Sequence, residues 1–72
     1  MTNTELLEKY IAASGKKKKF LAAQCGLSPA GFRNCVTNVA EFKASQIDIL
    51  CEQLGIVDLE TKEAVFFAHN GA

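Results

Sequence analysis

The sequence predicts an all-α domain of five short helices. Apolar residues recur at helical spacing, and no run alternates between apolar and polar residues as a strand does. Hydrophobic residues make up 49% of the chain and charged residues 22%, which predicts a folded chain rather than a disordered one. Because 72 residues bury too little surface for a second core, residues 1–72 are expected to form a single domain.

The first two helices are predicted over residues 3–14 and 17–24. Thr2, followed three residues later by Glu5, has the pattern of a capping box, and Gly15 is placed to end the first helix. The second helix follows a run of lysines and is expected to bury Phe20. The apolar face of the first helix is expected to comprise Leu6, Leu7, Tyr10, Ile11 and Ser14.

The third helix is predicted to begin after Ser28 and to end near Thr37. Serine is a favoured N-cap, and Pro29 suits the first helical position because its missing N–H would have no partner there. Residues 38–43 are expected to form a loop. The inner face of the helix is expected to comprise Phe32, Cys35 and Val36.

The last two helices follow the same signals. Ser45, with Asp48 three residues later, is expected to open the fourth helix, and Gly55 to close it. Asp58 is expected to cap the fifth helix, and Gly71 lies just beyond its predicted end. The stripe of the fourth helix comprises Ile47, Leu50, Cys51 and Leu54, and the fifth helix carries Phe66 and Phe67.

Residues 17–37 match the helix-turn-helix pattern. That pattern requires a small residue where the two helices cross, which Ala22 provides, and a glycine at the bend, which Gly26 provides. Two ordinary amphipathic helices are the alternative interpretation. The apolar positions of the pattern are filled by Leu21, Cys25, Leu27, Phe32 and Cys35.

Two segments, residues 20–29 (FLAAQCGLSP) and 42–50 (FKASQIDIL), resemble the Cro/CI-like regulators of temperate bacteriophages. The similarity extends over almost the whole chain. The opening TNTELLE and the five-helix layout are most similar to the anti-repressor family called modulator of repression. This resemblance implies the lambda-repressor-like (XRE) helix-turn-helix fold. It also implies a protein that binds a CI-type repressor and prevents that repressor from holding its operators.

Charge is distributed unevenly along this neutral chain. Residues 1–36 carry six cations and two acids, a net charge of +4, and residues 37–72 carry two cations and six acids, a net charge of −4. The lysine run at 16–19 is suited to the DNA phosphate backbone or to an acidic partner surface. A solvated basic loop is the alternative.

The exposed face of the third helix is predicted to be poorly equipped to read bases. Arg33 is its only cation, and Arg33 and Asn34 offer one bidentate base contact each. Acidic and apolar residues in the following loop oppose binding to phosphates. The predicted repressor-binding residues are therefore Ala30, Arg33, Asn34, Thr37, Val39, Phe42 and Phe67. The predicted DNA or phosphate contacts are Lys16, Lys17, Lys18, Lys19, Ser28, Arg33 and Asn34.

No pattern in the sequence predicts catalysis, a metal site, a cofactor or a small-molecule ligand. The three cysteines occupy apolar positions and are expected to be buried reduced thiols. The only histidine, His69, has no acid or nucleophile cluster around it. With no membrane-length apolar run and no signal-peptide pattern, the chain is expected in the cytoplasm of a bacterial host.

The leading hypothesis is a non-enzymatic anti-repressor whose partner is a CI-type phage repressor and which binds DNA weakly when alone. A Cro-like homodimeric operator-binding repressor is the alternative, with the third helix in the major groove. An antitoxin module of the same fold is a third possibility.

Overall fold

The computed structural model describes residues 1–68, and within that range the chain forms five α-helices and no strand. The predicted all-α class is therefore confirmed. The predictions made for His69 and Gly71 fall outside the described residues. The helices are α1 (Thr4–Ser14), α2 (Lys18–Gln24), α3 (Pro29–Val36), α4 (Ala44–Leu54) and α5 (Leu59–Phe66).

The first helix is capped by Asn3 and not by Thr2, so the predicted capping box is wrong. The Asn3 side chain accepts a hydrogen bond from the N–H of Leu6 at 3.1 Å. Thr2 is instead buried against the loop after α3, where its N–H donates to Asn38 Oδ1 at 2.8 Å and its carbonyl accepts from Asn38 Nδ2 at 2.9 Å. Thr2, which the local pattern predicted as the cap, therefore makes a long-range contact with Asn38 instead.

The fourth helix begins earlier than predicted. Its first residue is Ala44 and its N-cap is Lys43, whereas Ser45 was the predicted N-cap. Gln46 explains the difference. Its Oε1 accepts a hydrogen bond from the N–H of Lys43 at 2.9 Å, and its Nε2 donates to the carbonyl of Cys25 at 3.3 Å. This buried amide joins the start of α4 to the end of α2 and fixes where α4 begins.

The ends of α1 and α4 and the starts of α3 and α5 agree with the predictions, whereas α5 ends at Phe66, earlier than Gly71 suggested. Ser28 Oγ accepts from the N–H of Gly31 at 3.0 Å, and an Asp58 carboxylate oxygen accepts from the N–H of Thr61 at 2.8 Å. Gly55 adopts φ 72°. The N–H of the next residue, Ile56, donates to the carbonyl of Cys51 at 2.9 Å. This arrangement is a Schellman turn, which satisfies carbonyls that have no partner within the helix.

Three phenylalanines pack together as an aromatic trio in the core. The ring of Phe42 contacts the rings of Phe32 and Phe66 edge to face, with centroids 5.9 Å apart in both pairs. Such edge-to-face pairs add to the free energy of burial. The same core contains fully buried aliphatic side chains, namely Leu7, Leu21, Leu50 and Val65.

The prediction that Phe20 belongs to the core is wrong, because 44% of this residue is exposed. Its neighbour Leu21 is fully buried. Consecutive side chains on a helix point about 100° apart, so the orientation that buries Leu21 turns Phe20 outward. The short α2 can present only one narrow face to the core.

The N-terminal segment ties α3 and α5 together. The N–H of Asn3 donates to the carbonyl of Val65 at 2.7 Å, and Thr4 Oγ1 donates to the carbonyl of Val36 at 2.6 Å. The α5 helix packs on α1, while α2 packs on α3 and α4. These contacts fix the position of the C-terminal end of α3.

Candidate functional site

The unit formed by α2, a short turn and α3 places the candidate site. Gly26 adopts φ 71°, a left-handed conformation that costs a residue with a side chain about 1–2 kcal/mol. The N–H of Leu27 donates to the carbonyl of Ala22 at 2.9 Å, which closes the turn. The side chain of Ala22 is buried, and α2 and α3 are in close contact. Gly26 therefore has the positive φ predicted for the turn, and Ala22 is a buried small residue as expected.

The outer face of α3 is open to solvent as predicted. The inner positions Phe32, Cys35 and Val36 are buried, so the opposite side of the helix points outward. Arg33 is the only charged residue of this helix. The exposed residues of this part of the chain include Ser28, Pro29, Ala30, Arg33, Asn34 and Thr37.

Backbone contacts hold the end of α3 and the loop that follows. Thr37 Oγ1 donates to the carbonyl of Arg33 at 2.8 Å. The carbonyl of Asn34 accepts from the N–H groups of Val39 at 2.8 Å and Ala40 at 3.1 Å. Val39 is 75% exposed, so the start of the loop adds an apolar side chain beside the outer face of α3.

The expectation that Phe42 presents its ring to a partner is wrong. Only 9% of Phe42 is exposed, because the ring lies between Phe32 and Phe66 in the core. The sequence did not predict this burial, since Phe42 follows a loop and shares no helical stripe. Phe67, by contrast, is 51% exposed at the C-terminal end of α5.

The structure divides the four lysines into two pairs. Lys16 Nζ donates to the backbone carbonyl and to the side-chain Oε1 of Gln53, each at 2.8 Å, and Lys18 Nζ lies 2.8 Å from a carboxylate oxygen of Glu8. Lys17 and Lys19 are exposed, and their side chains make no hydrogen bond or ion pair within residues 1–68. Two of the four lysines predicted to contact phosphate therefore already have intramolecular partners.

A cleft of about 170 Å³ joins the lysine run to α3. Lys19 and Arg33 line it together, and the paired residues Lys18 and Glu8 lie beside them. Spacing along the chain did not predict that Glu8 contributes, because nothing local links α1 to the lysine run. The remaining lining residues are Pro29, Phe32, Val36 and Thr37.

The three thiols lie away from any reactive setting. Cys25, Cys35 and Cys51 are buried and reduced, as predicted. Burial raises the pKa of each thiol above its ordinary value, and the nearby Cys35 adds to the effect on Cys25. A raised pKa keeps a thiol protonated and unreactive at neutral pH.

None of the helices within residues 1–68 combines the length and the apolar character that crossing a membrane requires. In the same part of the chain, no three histidine, cysteine, aspartate or glutamate side chains come together where they could bind a metal ion.

Comparisons of the chain with protein-family models, with curated proteins and with solved structures found no match.

Proposed function

We propose that this chain is a phage genetic-switch regulator with the lambda-repressor-like helix-turn-helix fold, and that it acts as an anti-repressor. It binds the N-terminal DNA-binding domain of a CI-type repressor, blocks operator binding and thereby favours lytic growth. It is not an enzyme, and it acts in the bacterial cytoplasm. The order of the five helices and the glycine turn between α2 and α3 support the fold assignment.

The outer face of α3 carries this proposal. It has one cation, Arg33, among small and neutral exposed residues. Proteins that bind DNA rely on several phosphate contacts for affinity and on base-reading side chains for specificity. A face with a single arginine and small neighbours suits a flat protein surface better, since arginine is frequent among interface hot spots.

The loop after α3 supports the same assignment. Val39 extends the face with an exposed apolar side chain, and Glu41 is also exposed. A carboxylate beside the face repels DNA phosphates, but it suits the basic residues that a repressor presents to its operator. The proposed contact therefore competes directly with DNA. With Phe42 in the core, the face comprises Ala30, Arg33, Asn34, Thr37 and Val39, and Phe67 is a separate candidate contact.

A displacement assay tests the proposal. Labelled operator DNA is first saturated with the CI-type repressor, and the chain is then added. We expect the repressor to be released. Arg33→Ala should raise the concentration needed for release by about 5- to 150-fold, which corresponds to a loss of roughly 1–3 kcal/mol. Lys9→Ala, which removes an exposed cation from α1, is the matched control and should displace the repressor normally. Full activity of the Arg33→Ala variant would exclude this face.

Direct DNA binding separates the proposal from its alternative. At about 0.15 M salt, the isolated chain should bind duplex DNA weakly and without sequence preference, because non-specific binding relies on phosphate neutralisation. Specific binding with a Kd below about 1 µM would instead favour a Cro-like operator-binding repressor.

One observation favours that Cro-like alternative. Lys19 and Arg33 line the same cleft beside α3, so two cations are available to the phosphates that flank a major groove. Under this alternative, Lys19→Ala should weaken operator binding by the isolated chain and reduce its salt dependence. Under the anti-repressor proposal, the isolated chain has no specific operator complex for Lys19→Ala to weaken.

A further inference from the structure

An exposed aromatic ring on α2 is surrounded by lysines. Phe20 is 44% exposed and lines a shallow surface depression with Lys16, Lys17, Lys19 and Ala23. Within residues 1–68, no acidic residue lines this depression. We call these five residues the basic patch. Its centre is apolar and its surroundings are positively charged.

A second surface has the same construction with the opposite charge. Val57 is 95% exposed and Leu59 is 67% exposed, and both lie next to exposed acidic residues. Leu59 and Glu63 are four residues apart on α5 and share one side of the helix. We call this surface the acidic patch, and it comprises Val57, Asp58, Leu59, Glu60 and Glu63.

The only cation between residues 57 and 66 does not cancel the charge of the acidic patch. That cation, Lys62, lies 3.1 Å from a carboxylate oxygen of Asp48, so its charge is matched by an acid outside the patch. The centres of the two patches lie on different helices, Phe20 on α2 and Leu59 on α5.

We infer that copies of this chain associate head to tail, with the basic patch of one copy against the acidic patch of the next. Both complementary surfaces are present on one molecule, so the chain itself supplies the partner that each patch fits. Contact would cover Phe20 on one side and Val57 with Leu59 on the other, while lysines meet glutamates at the rim. The chain has no net charge, so copies do not repel one another as a whole.

The contact is heterologous, because it joins two different surfaces. Each added copy leaves one basic and one acidic patch free, so the assembly grows with concentration unless a ring closes. The outer face of α3 belongs to neither patch. The inference therefore goes beyond the proposed function, and the repressor displacement assay tests that function separately.

Sedimentation equilibrium of the full chain tests the association. In about 0.01 M salt, where the Debye length is about 30 Å, the average mass should exceed the 7.8 kDa of the monomer and rise with protein concentration. In about 1 M salt the average mass should fall towards that of the monomer. A monomer at every concentration in low salt would overturn the inference.

Charge reversal identifies the surfaces. Lys17→Glu combined with Lys19→Glu makes both patches acidic, and Glu60→Lys combined with Glu63→Lys makes both basic. Each double variant alone should remain monomeric. An equimolar mixture should associate again and grow with concentration, because one variant then carries two acidic patches and the other two basic patches, so every contact between the two variants joins patches of opposite charge.

The matched control reverses two lysines outside both patches, Lys9→Glu with Lys43→Glu, and should associate as the parent chain does. Circular dichroism checks that every variant is folded. The inference is wrong if either charge-reversed variant associates like the parent chain, or if the mixture stays monomeric.

Discussion

Asn38 shows how one side chain can hold two distant segments of this protein together. Its backbone adopts φ 67°, the only positive φ of a non-glycine residue in the described part of the chain. Its amide pairs with both backbone groups of Thr2, at 2.8 and 2.9 Å. Asparagine tolerates the left-handed conformation better than most residues, so this position combines a backbone requirement with a tertiary contact.

Replacing Asn38 should separate these two roles. Asn38→Ala loses both hydrogen bonds and strains the backbone, so we expect the free energy of unfolding to fall by about 2–4 kcal/mol. Asn38→Gly loses the hydrogen bonds but accepts the φ value, and it should cost less. Urea unfolding measures both variants. Equal losses would mean that the backbone conformation contributes nothing.

Because the thiols are buried, the free energy of unfolding should depend on pH in the alkaline range. Burial raises the pKa of Cys25, Cys35 and Cys51 in the folded chain, whereas an unfolded cysteine titrates near about 8.5. The folded chain therefore holds protons that the unfolded chain releases. The free energy of unfolding should be fully retained below about pH 8.5 and should decline as pH rises through the folded pKa values.

Urea titrations from about pH 7 to 10 measure this decline, and a Cys25→Ala variant should show a smaller one. A thiol reagent should also label the native chain slowly and the urea-unfolded chain rapidly. Rapid labelling of all three thiols in the native state would contradict their burial.

At the scale of the helices, the ends of α1 and α4 mark where local sequence patterns fail. Both predicted caps used a hydroxyl residue followed three residues later by an acid. In the structure, the backbone of Thr2 is hydrogen-bonded to the side chain of Asn38. The side chain of Gln46 is hydrogen-bonded to the backbone of both Lys43 and Cys25. The caps of α3 and α5 agreed with prediction because Ser28 and Asp58 bond only to residues of their own first turn.

The Asp58 cap of α5 should make the stability of the folded chain depend on pH in the acid range. Thr61 donates two hydrogen bonds to the Asp58 carboxylate, and both hold the pKa of Asp58 below its ordinary value. The bond from the Thr61 hydroxyl has the larger effect and the bond from its N–H the smaller. A lowered folded pKa contributes stability above the unfolded value of about 3.9, and this contribution is lost as pH falls through the folded pKa.

Asp58→Ala should therefore have a lower Tm than the parent chain at pH 7, and the difference should shrink below about pH 4. Asp58→Asn keeps an acceptor that does not titrate, so its Tm should depend less on pH over the same range. Thermal melts followed by circular dichroism test both variants. A Tm difference for Asp58→Ala that does not change with pH would show that the carboxylate charge is irrelevant.

At the scale of the whole molecule, one small core holds all five helices. A chain of this size has about 4–11 kcal/mol of stability in total. Phe42 follows the loop after α3 and joins Phe32 of α3 to Phe66 of α5 through its two ring contacts. The position of the outer face of α3 therefore depends on this ring, although the ring itself is not part of that face.

Phe42→Ala should reduce the free energy of unfolding by about 3–5 kcal/mol, a large fraction of the total, because it leaves a cavity in the core. Val39→Ala, three residues earlier and 75% exposed, should change it by less than about 0.5 kcal/mol. Chemical denaturation compares the two. If Phe42→Ala were as stable as Val39→Ala, the ring contacts of Phe42 would not stabilise the core.

The sequence by itself determined the helical class, the order of five helices, the glycine turn at Gly26 and the buried thiols. These features depend on periodicity and on residues that act within one turn of the chain. Only the tertiary structure decided that Phe20 is exposed, that Phe42 is buried and that Lys16 and Lys18 have partners. Each of those outcomes depends on a contact between segments far apart in the chain, and local pattern carries no information about such contacts.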